Sequence, residues 1–326
     1  MAPVLRPLAR LRPIVAFLRP LARASSSRLT LAALSFTACG GGGTGIDLPE
    51  LPDPAYGGGD FLQILRFQDL DRGYTVHVPA GARADVAAPL LMVLHGAGQD
   101  APGIRQLAGV EPFTDPAGWI VVYPQGYANS WAIGTATPAD ERGVDDVGLI
   151  RRMLDDIDRH LNIDRERVYA AGISNGSLMT HRLACELSTR IRGIVSVAGT
   201  MLAGLAAACA PSRPVATLFF HGDEDTFFPW EGWTAVDGTE FLGAEATAAF
   251  WADENGCGAP VRTDVPDAAS DGTTVERVEF ACPAGGAVRL FAISGGGHTW
   301  PGRGGIGRTS FDIEANEEIL AFFGAP

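Results

Sequence analysis

Val168-Tyr169-Ala170-Ala171-Gly172-Ile173-Ser174-Asn175-Gly176 is the stretch from which the rest of the chain can be read. Its first six residues are apolar or small, as a fully buried strand requires, and its last five have the form G-x-S-x-G. At a strand-to-helix turn this form presents a serine hydroxyl on strained backbone. Side chains two residues before and after the serine would collide with neighbouring chain there, so Gly172 and Gly176 are the tolerated types. The apolar-periodic residues Leu178, Leu183 and Leu187 then predict the helix that should follow. A serine hydroxyl is a poor nucleophile at neutral pH. It needs a base to take its proton and a third group to orient that base and offset its charge.

Two later segments supply those groups: His221-Gly222-Asp223-Glu224-Asp225 and Gly295-Gly296-Gly297-His298-Thr299-Trp300. The order Ser, Asp, His is that of α/β-hydrolases, and it predicts Ser174 as nucleophile, His298 as base and Asp225 as acid. Asp223 competes for the last role. Asp225 is preferred because Thr226-Phe227-Phe228-Pro229 follows it, an apolar segment able to bury the carboxylate against the imidazole. For the oxyanion, the turn offers the backbone N–H of Asn175. A second donor is expected from Leu94-His95-Gly96-Ala97-Gly98-Gln99, at Ala97 and Gly98. His95 and His221 end predicted strands and are expected to hold loops by hydrogen bonds; Asp145 and Asp146 read as a helix start and a loop brace.

Beyond the elbow, Tyr123-Pro124-Gln125-Gly126, Ser130-Trp131, Val144-Asp145-Asp146-Val147, Arg167-Val168-Tyr169, His221-Gly222-x-x-Asp225 and Gly297-His298-Thr299-Trp300-Pro301-Gly302 stand in the same chain. Together they resemble the secreted polyhydroxybutyrate depolymerase and feruloyl esterase group, carbohydrate esterase family 1. The resemblance runs from about Phe61 to Phe323. It implies an α/β-hydrolase fold and hydrolysis of carboxylic esters without metal or organic cofactor, with Ser174, Asp225 and His298 in the roles already given. Two departures stand out. Ser177 occupies a position where the family repeats glycine, and the stretch after Trp131 lacks a cysteine that many feruloyl esterases carry. Of Cys185, Cys209, Cys257 and Cys282, four cysteines with three possible pairings, the resemblance favours Cys257 with Cys282 and leaves Cys185 with Cys209.

The remaining pattern agrees with an α/β class, a mostly parallel sheet with helices on both faces. Phe61 to Phe67 and Tyr74 to Val78 predict an opening hairpin. Leu90 to Leu94, Trp119 to Tyr123, Ile194 to Val197, Thr217 to Phe220 and Val288 to Ile293 predict buried strands beside Val168 to Ile173. Helices are expected over Asp145 to His160, Ala244 to Glu254 and Asp312 to Phe323.

The first 45 residues hold six arginines and no acid. Arg28 precedes a short apolar stretch, Leu29 to Ala38, too brief to span a bilayer but of signal-peptide length. Phe36-Thr37-Ala38-Cys39 followed by a glycine run resembles a lipoprotein cleavage box with Cys39 as the lipidated residue. The expected organisation is an export signal over residues 1–39, a Gly/Pro-rich tether over 40–58 and one catalytic domain over 59–326. Membrane contact is expected through the lipid anchor alone. Net charge is −13, with no lysine in the chain, so no cationic face exists to bind a phosphate backbone, and nucleic-acid binding is excluded. A monomer is expected.

Trp131, Trp230 and Trp300 are expected to line the substrate mouth, where flat rings would stack on an aryl acid or a sugar. That points to polymeric or oligomeric substrates: feruloyl or acetyl esters of plant polysaccharide first, hydroxyalkanoate polyester second. A reading of another class is a surface lipoprotein that binds such polymers through Trp131, Trp230, Trp233 and Trp300.

Overall fold

A computed structural model describes residues 58–324 apart from residue 284. The export signal, Cys39 and nearly all of the tether lie outside the described residues. The strands are β1 (Gly59–Phe67), β2 (Leu70–Val78), β3 (Ala88–Leu94), β4 (Ile120–Pro124), β5 (Ile163–Ile173), β6 (Gly193–Val197) and β7 (Ala216–Gly222) in the first part. They continue as β8 (Trp233–Thr234), β9 (Glu240–Phe241), β10 (Pro260–Asp264), β11 (Thr274–Phe280), β12 (Val288–Ser294), β13 (His298–Trp300) and β14 (Gly304–Ile306).

Ten of these form one sheet in the order β1-β2-β4-β3-β5-β6-β7-β12-β11-β10. The central run from β4 to β12 is parallel, and both edges are antiparallel. Side chains alternate across each strand. On β3, Leu90, Met92 and Leu94 therefore pack with Ile150, Leu178 and Trp251 on one face, while Leu91 and Val93 pack with Ile104, Ile319 and Phe323 on the other. Helices Asp146–His160, Asn175–Glu186 and Ala244–Glu254 cover the first face; Ala101–Ala108 and Ala315–Gly324 cover the second. With both faces covered, the strands must be continuously apolar, and all seven residues of β3 and all five of β4 are buried.

The opening hairpin turns at Gln68 and Asp69, both with positive φ (49° and 60°), the mirror-image turn whose twist suits two antiparallel strands. Asp145 caps Asp146–His160 by accepting from the Gly148 N–H at 2.8 Å. Sequence patterning did not reveal β10 and β11. β10 is the fully exposed edge strand and β11 its neighbour, with only Val275 and Val278 buried. Disulfides join Cys185 to Cys209 and Cys257 to Cys282. The first joins the end of Asn175–Glu186 to the end of Ala203–Ala208 and the second joins the turn after Ala244–Glu254 to the end of β11, constraints worth roughly 2 to 4 kcal/mol each.

Candidate active site

Every parallel strand ends at the same edge of the sheet, and α/β sheets bind ligands at that edge. Ser174 sits there, directly after β5, with φ 58° and ψ −125°. A non-glycine residue in that region is strained, which the surrounding packing must overdetermine. The glycines show how it does so. A Cβ on Gly172 would stand 2.4 Å from the Gly176 carbonyl, and one on Gly176 would stand 2.4 Å from the Leu94 oxygen and 2.6 Å from the His95 oxygen. The elbow is therefore wedged against the end of β3, and neither glycine position has room for a methyl group. Ser174 N–H donates to Val197 O at 3.0 Å and Ala198 N–H to Phe220 O at 2.9 Å, lacing the ends of β5, β6 and β7 together.

The acid and base segments meet at the neighbouring strand ends. Glu224 N–H donates to Gly296 O at 2.8 Å and Asp223 N–H to Ile293 O at 3.0 Å, so the loops after β7 and β12 are bound to each other. His298 Nδ1 lies 2.8 Å from Asp225 Oδ2, with the Asp225 side chain fully buried. The other oxygen, Oδ1, accepts from the Phe227 and Phe228 N–H groups at 2.8 and 3.0 Å. Burial alone would raise the Asp225 pKa. The His298 hydrogen bond and charge, the Phe228 N–H and His221 together outweigh it, and the carboxyl sits below its usual range. A carboxylate can only accept, so Nδ1 carries the proton and Nε2 is left as the basic nitrogen. Asp223 does something else: its Oδ1 accepts from the Gly295 N–H at 2.7 Å and braces the loop.

His221 donates from Nε2 to Phe228 O at 2.8 Å and holds the acid-bearing loop. Ser174 Oγ makes no hydrogen bond to His298 among the described residues; the base follows β12, and β6 and β7 stand between that strand and β5.

The loop after β3 is fixed by a closed set of bonds. His95 Nδ1 donates to Gly96 O at 2.8 Å and Nε2 accepts from the Gly126 N–H at 2.9 Å, which defines a neutral ring. Burial likewise lowers the His95 pKa. Trp131 Nε1 donates to His95 O at 2.9 Å, and the Asn175 side chain grips Trp131 from both sides, accepting from its N–H at 2.7 Å and donating to its carbonyl at 3.3 Å. Buried Asp146 pairs with Arg72 at 2.6 Å and accepts from the Ala132 N–H at 2.8 Å, bracing the segment after β4 that carries Trp131.

A Cβ on Gly96 would stand 3.2 Å from Ser174 Cβ, so this loop abuts the elbow. The N–H groups of Ala97 and Asn175 donate to no protein acceptor among the described residues. Gly98 is different, and here the expectation is corrected: its N–H already donates to Asn129 O at 2.8 Å, where Ala128 and Asn129 both hold positive φ.

The aromatic mouth needs correction too. Trp131 and Trp300 are fully buried; Trp131 packs at 4.9 Å on the His95 ring and Trp300 Nε1 donates to Asn316 Oδ1 at 3.2 Å. Neither has surface to offer a substrate. Trp230 is half-buried 5.9 Å from His221 and lines a groove with Asp223, Glu224, Glu245 and Arg262. With two of four tryptophans in the core, a binding platform built on them loses its basis.

Sequence reasoning did not find one buried chain of hydrogen bonds behind the elbow. Trp251 Nε1 donates to His181 Nδ1 at 3.0 Å; His181 Nε2 reaches Ser196 Oγ at 3.3 Å, and Ser196 Oγ donates to Gly199 O at 3.0 Å. Ser177 Oγ joins at 2.6 Å from Ser196 Oγ. An indole can only donate, so His181 is neutral, and burial lowers its pKa to about 3. The signal lay in the helix stripe, where His181 stands three residues after Leu178.

Comparison with known proteins supplies the family. The sequence profile described as Esterase PHB depolymerase matches residues 72–213, a span that includes the elbow. The protein NocK of Nocardia uniformis subsp. tsuyamanensis is 33% identical over 246 residues, covering 71% of this chain and 71% of its own length. Feruloyl esterase B of Piromyces equi is 30% identical over 243 residues; the alignment takes 70% of this chain but only 42% of that longer protein. Among solved structures, an acetyl xylan esterase from Aspergillus awamori aligns with TM-score 0.56 over 81% of this chain and 99% of its own, at 15% identity, a likeness of fold. The chain belongs to the esterase PHB depolymerase family of α/β-hydrolases and is a carboxylic ester hydrolase.

Proposed function

We propose that the chain is an exported serine esterase working through an acyl-enzyme, with Ser174 as nucleophile, His298 as base and Asp225 as the acid that holds the imidazole. His298 Nε2 takes the serine proton, and the N–H groups of Asn175 and Ala97 receive the oxyanion; loss of one such donor typically costs about 2.7 to 4 kcal/mol in the barrier. Water then releases the acid by the same route. The single observation that carries this reading is the 2.8 Å contact between buried Asp225 and His298 at the sheet edge that also holds the strained elbow. The two disulfides fit a protein that works outside the reducing cytosol.

For the substrate we favour feruloyl or acetyl esters of plant polysaccharide, supported by the extent of the likeness to feruloyl esterase B. Hydroxyalkanoate polyester is the second reading. The exposed apolar residues Phe227, Ile306, Trp233 and Val236 favour it, since such side chains lose water against a hydrophobic polymer. Lipidation at Cys39 belongs to the proposal and requires labelled fatty acid to enter the protein only when Cys39 is present.

The test is Ser174→Ala assayed on p-nitrophenyl acetate, beside the parent enzyme on methyl ferulate, acetylated xylan and 3-hydroxybutyrate oligomers. The variant is expected to lose turnover while keeping its fold. Substantial residual turnover would refute the nucleophile, and fastest turnover of the hydroxybutyrate oligomers would reverse the substrate order.

A further inference from the structure

His298 is flanked by apolar side chains, two of which stand half or more exposed. The Phe227 ring lies 4.8 Å from the imidazole, and Phe227 is 50% exposed. Its neighbour Phe228 is 9% exposed and packs edge-on against Phe241 at 5.8 Å. Adjacent residues of one type thus divide, one into the core and one to the surface. Ile306 of β14 is the register partner of His298 across the β13–β14 ribbon and is 61% exposed. Directly opposed residues share a face of an antiparallel pair, so Ile306 lies on the side from which the imidazole projects.

The chemistry fixes which part of the substrate arrives there, given the roles of Ser174 and His298 proposed above, on which this inference rests. In acylation the Ser174 Oγ–carbonyl bond forms, the ester C–O bond breaks, and the proton that His298 took from Ser174 passes from Nε2 to the departing oxygen, which leaves as a neutral alcohol. The departing oxygen must come within hydrogen-bond reach of Nε2. The carbonyl oxygen meanwhile points to the N–H groups of Asn175 and Ala97, on the other side of the elbow. The alcohol portion therefore meets the neighbours of His298, and the acyl portion does not.

We propose that Phe227 and Ile306 form an apolar subsite for the alcohol portion of the ester, selecting alcohols that carry an alkyl chain or a flat apolar face. Their exposure is the state before substrate arrives, and burying them against the alcohol supplies the discrimination between short and long leaving groups.

The experiment varies the two halves of the ester separately. Acetates of ethanol, 1-hexanol and benzyl alcohol probe the alcohol side, and ethyl acetate against ethyl hexanoate probes the acyl side. In Phe227→Ala, and independently in Ile306→Ser, the hexyl-to-ethyl ratio of kcat/KM among the acetates should fall by about three- to tenfold, as loss of apolar contact to a few methylenes predicts. The hexanoate-to-acetate ratio for ethyl esters should stay as in the parent. An unchanged alcohol ratio, or an equal fall in both ratios, overturns the subsite. Ser174→Ala measured alongside separates the failures. An inactive Ser174→Ala with unchanged alcohol ratios removes the subsite alone, whereas an active one removes the catalytic reading beneath it.

Discussion

The two halves of the active edge are built on opposite plans. On the nucleophile side, over β3, β5 and β6, the polar side chains are consumed internally: Asn175 by Trp131, His95 by Gly96 and Gly126, Asp146 by Arg72 and Ala132. On the base side, over β7, β12 and the β13–β14 ribbon, the Asp225–His298 pair is equally fixed, but Phe227 and Ile306 beside it remain exposed. The difference teaches a division of labour. On the proposed roles, the groups that would receive developing charge are positioned in advance, because reorganisation at the moment of reaction would raise the barrier, while contact with a variable substrate would fall to the exposed side chains.

The sharpest break of this comparison is within the base side itself. Asp225→Asn should lower kcat/KM by about four orders of magnitude, since an amide no longer enforces the tautomer that leaves Nε2 basic. Asp223→Asn keeps an oxygen for the Gly295 N–H and should cost less than about tenfold. If Asp223→Asn were the damaging change in steady-state assays, the acid would be misassigned.

Between the halves the contrast is one of stability. Asn175→Ala leaves the buried Trp131 N–H without a partner, while the Trp131 carbonyl keeps the Thr137 Oγ1 donor at 3.0 Å, a loss of about 2 kcal/mol by urea unfolding. Phe227→Ala, on a half-exposed ring, should stay within about 1 kcal/mol of the parent. Equal destabilisation by the two changes would erase the distinction.

The smallest effect concerns the chain behind the elbow. His181 stays neutral in the folded protein down to about pH 3, but in the unfolded chain it takes a proton near its ordinary 6.5. Between those values the unfolded state binds the extra proton, so this contribution to stability is full above pH 6.5 and declines as pH falls toward 3. From pH 7 to pH 5 the loss is about 2 kcal/mol. His181→Gln can still accept from Trp251 and donate to Ser196 without titrating. Urea unfolding at the two pH values should show the parent losing about 2 kcal/mol more than the variant, and equal losses would refute a neutral buried imidazole.

Much of this was legible in the sequence. Gly172 announces the elbow because the collision it avoids, with Gly176, is local, and Gly176 because the elbow turn always lies against a neighbouring strand end; the order Ser174, Asp225, His298 follows the order of strands in the chain. The apolar runs of β3 to β7 are continuous because both faces of the sheet are covered. What was not legible depends on distant partners. A tryptophan suits a pocket wall or a core equally well, and only the placement of His95 and Asn316 decides that Trp131 and Trp300 are internal. Whether Ala97 or Gly98 keeps its N–H unused turns on Asn129, about thirty residues away in sequence. His181 and Trp251 meet across 70 residues, with no spacing to betray them.

The central claim is that Ser174 carries the acyl group. Acid quenching of the enzyme during turnover of p-nitrophenyl butyrate, followed by peptide mapping with mass spectrometry, tests it most directly. The account predicts a butyryl adduct on the peptide containing Ser174, absent from Ser174→Ala. An adduct on another side chain in the parent enzyme, or the same adduct persisting in Ser174→Ala, would contradict it.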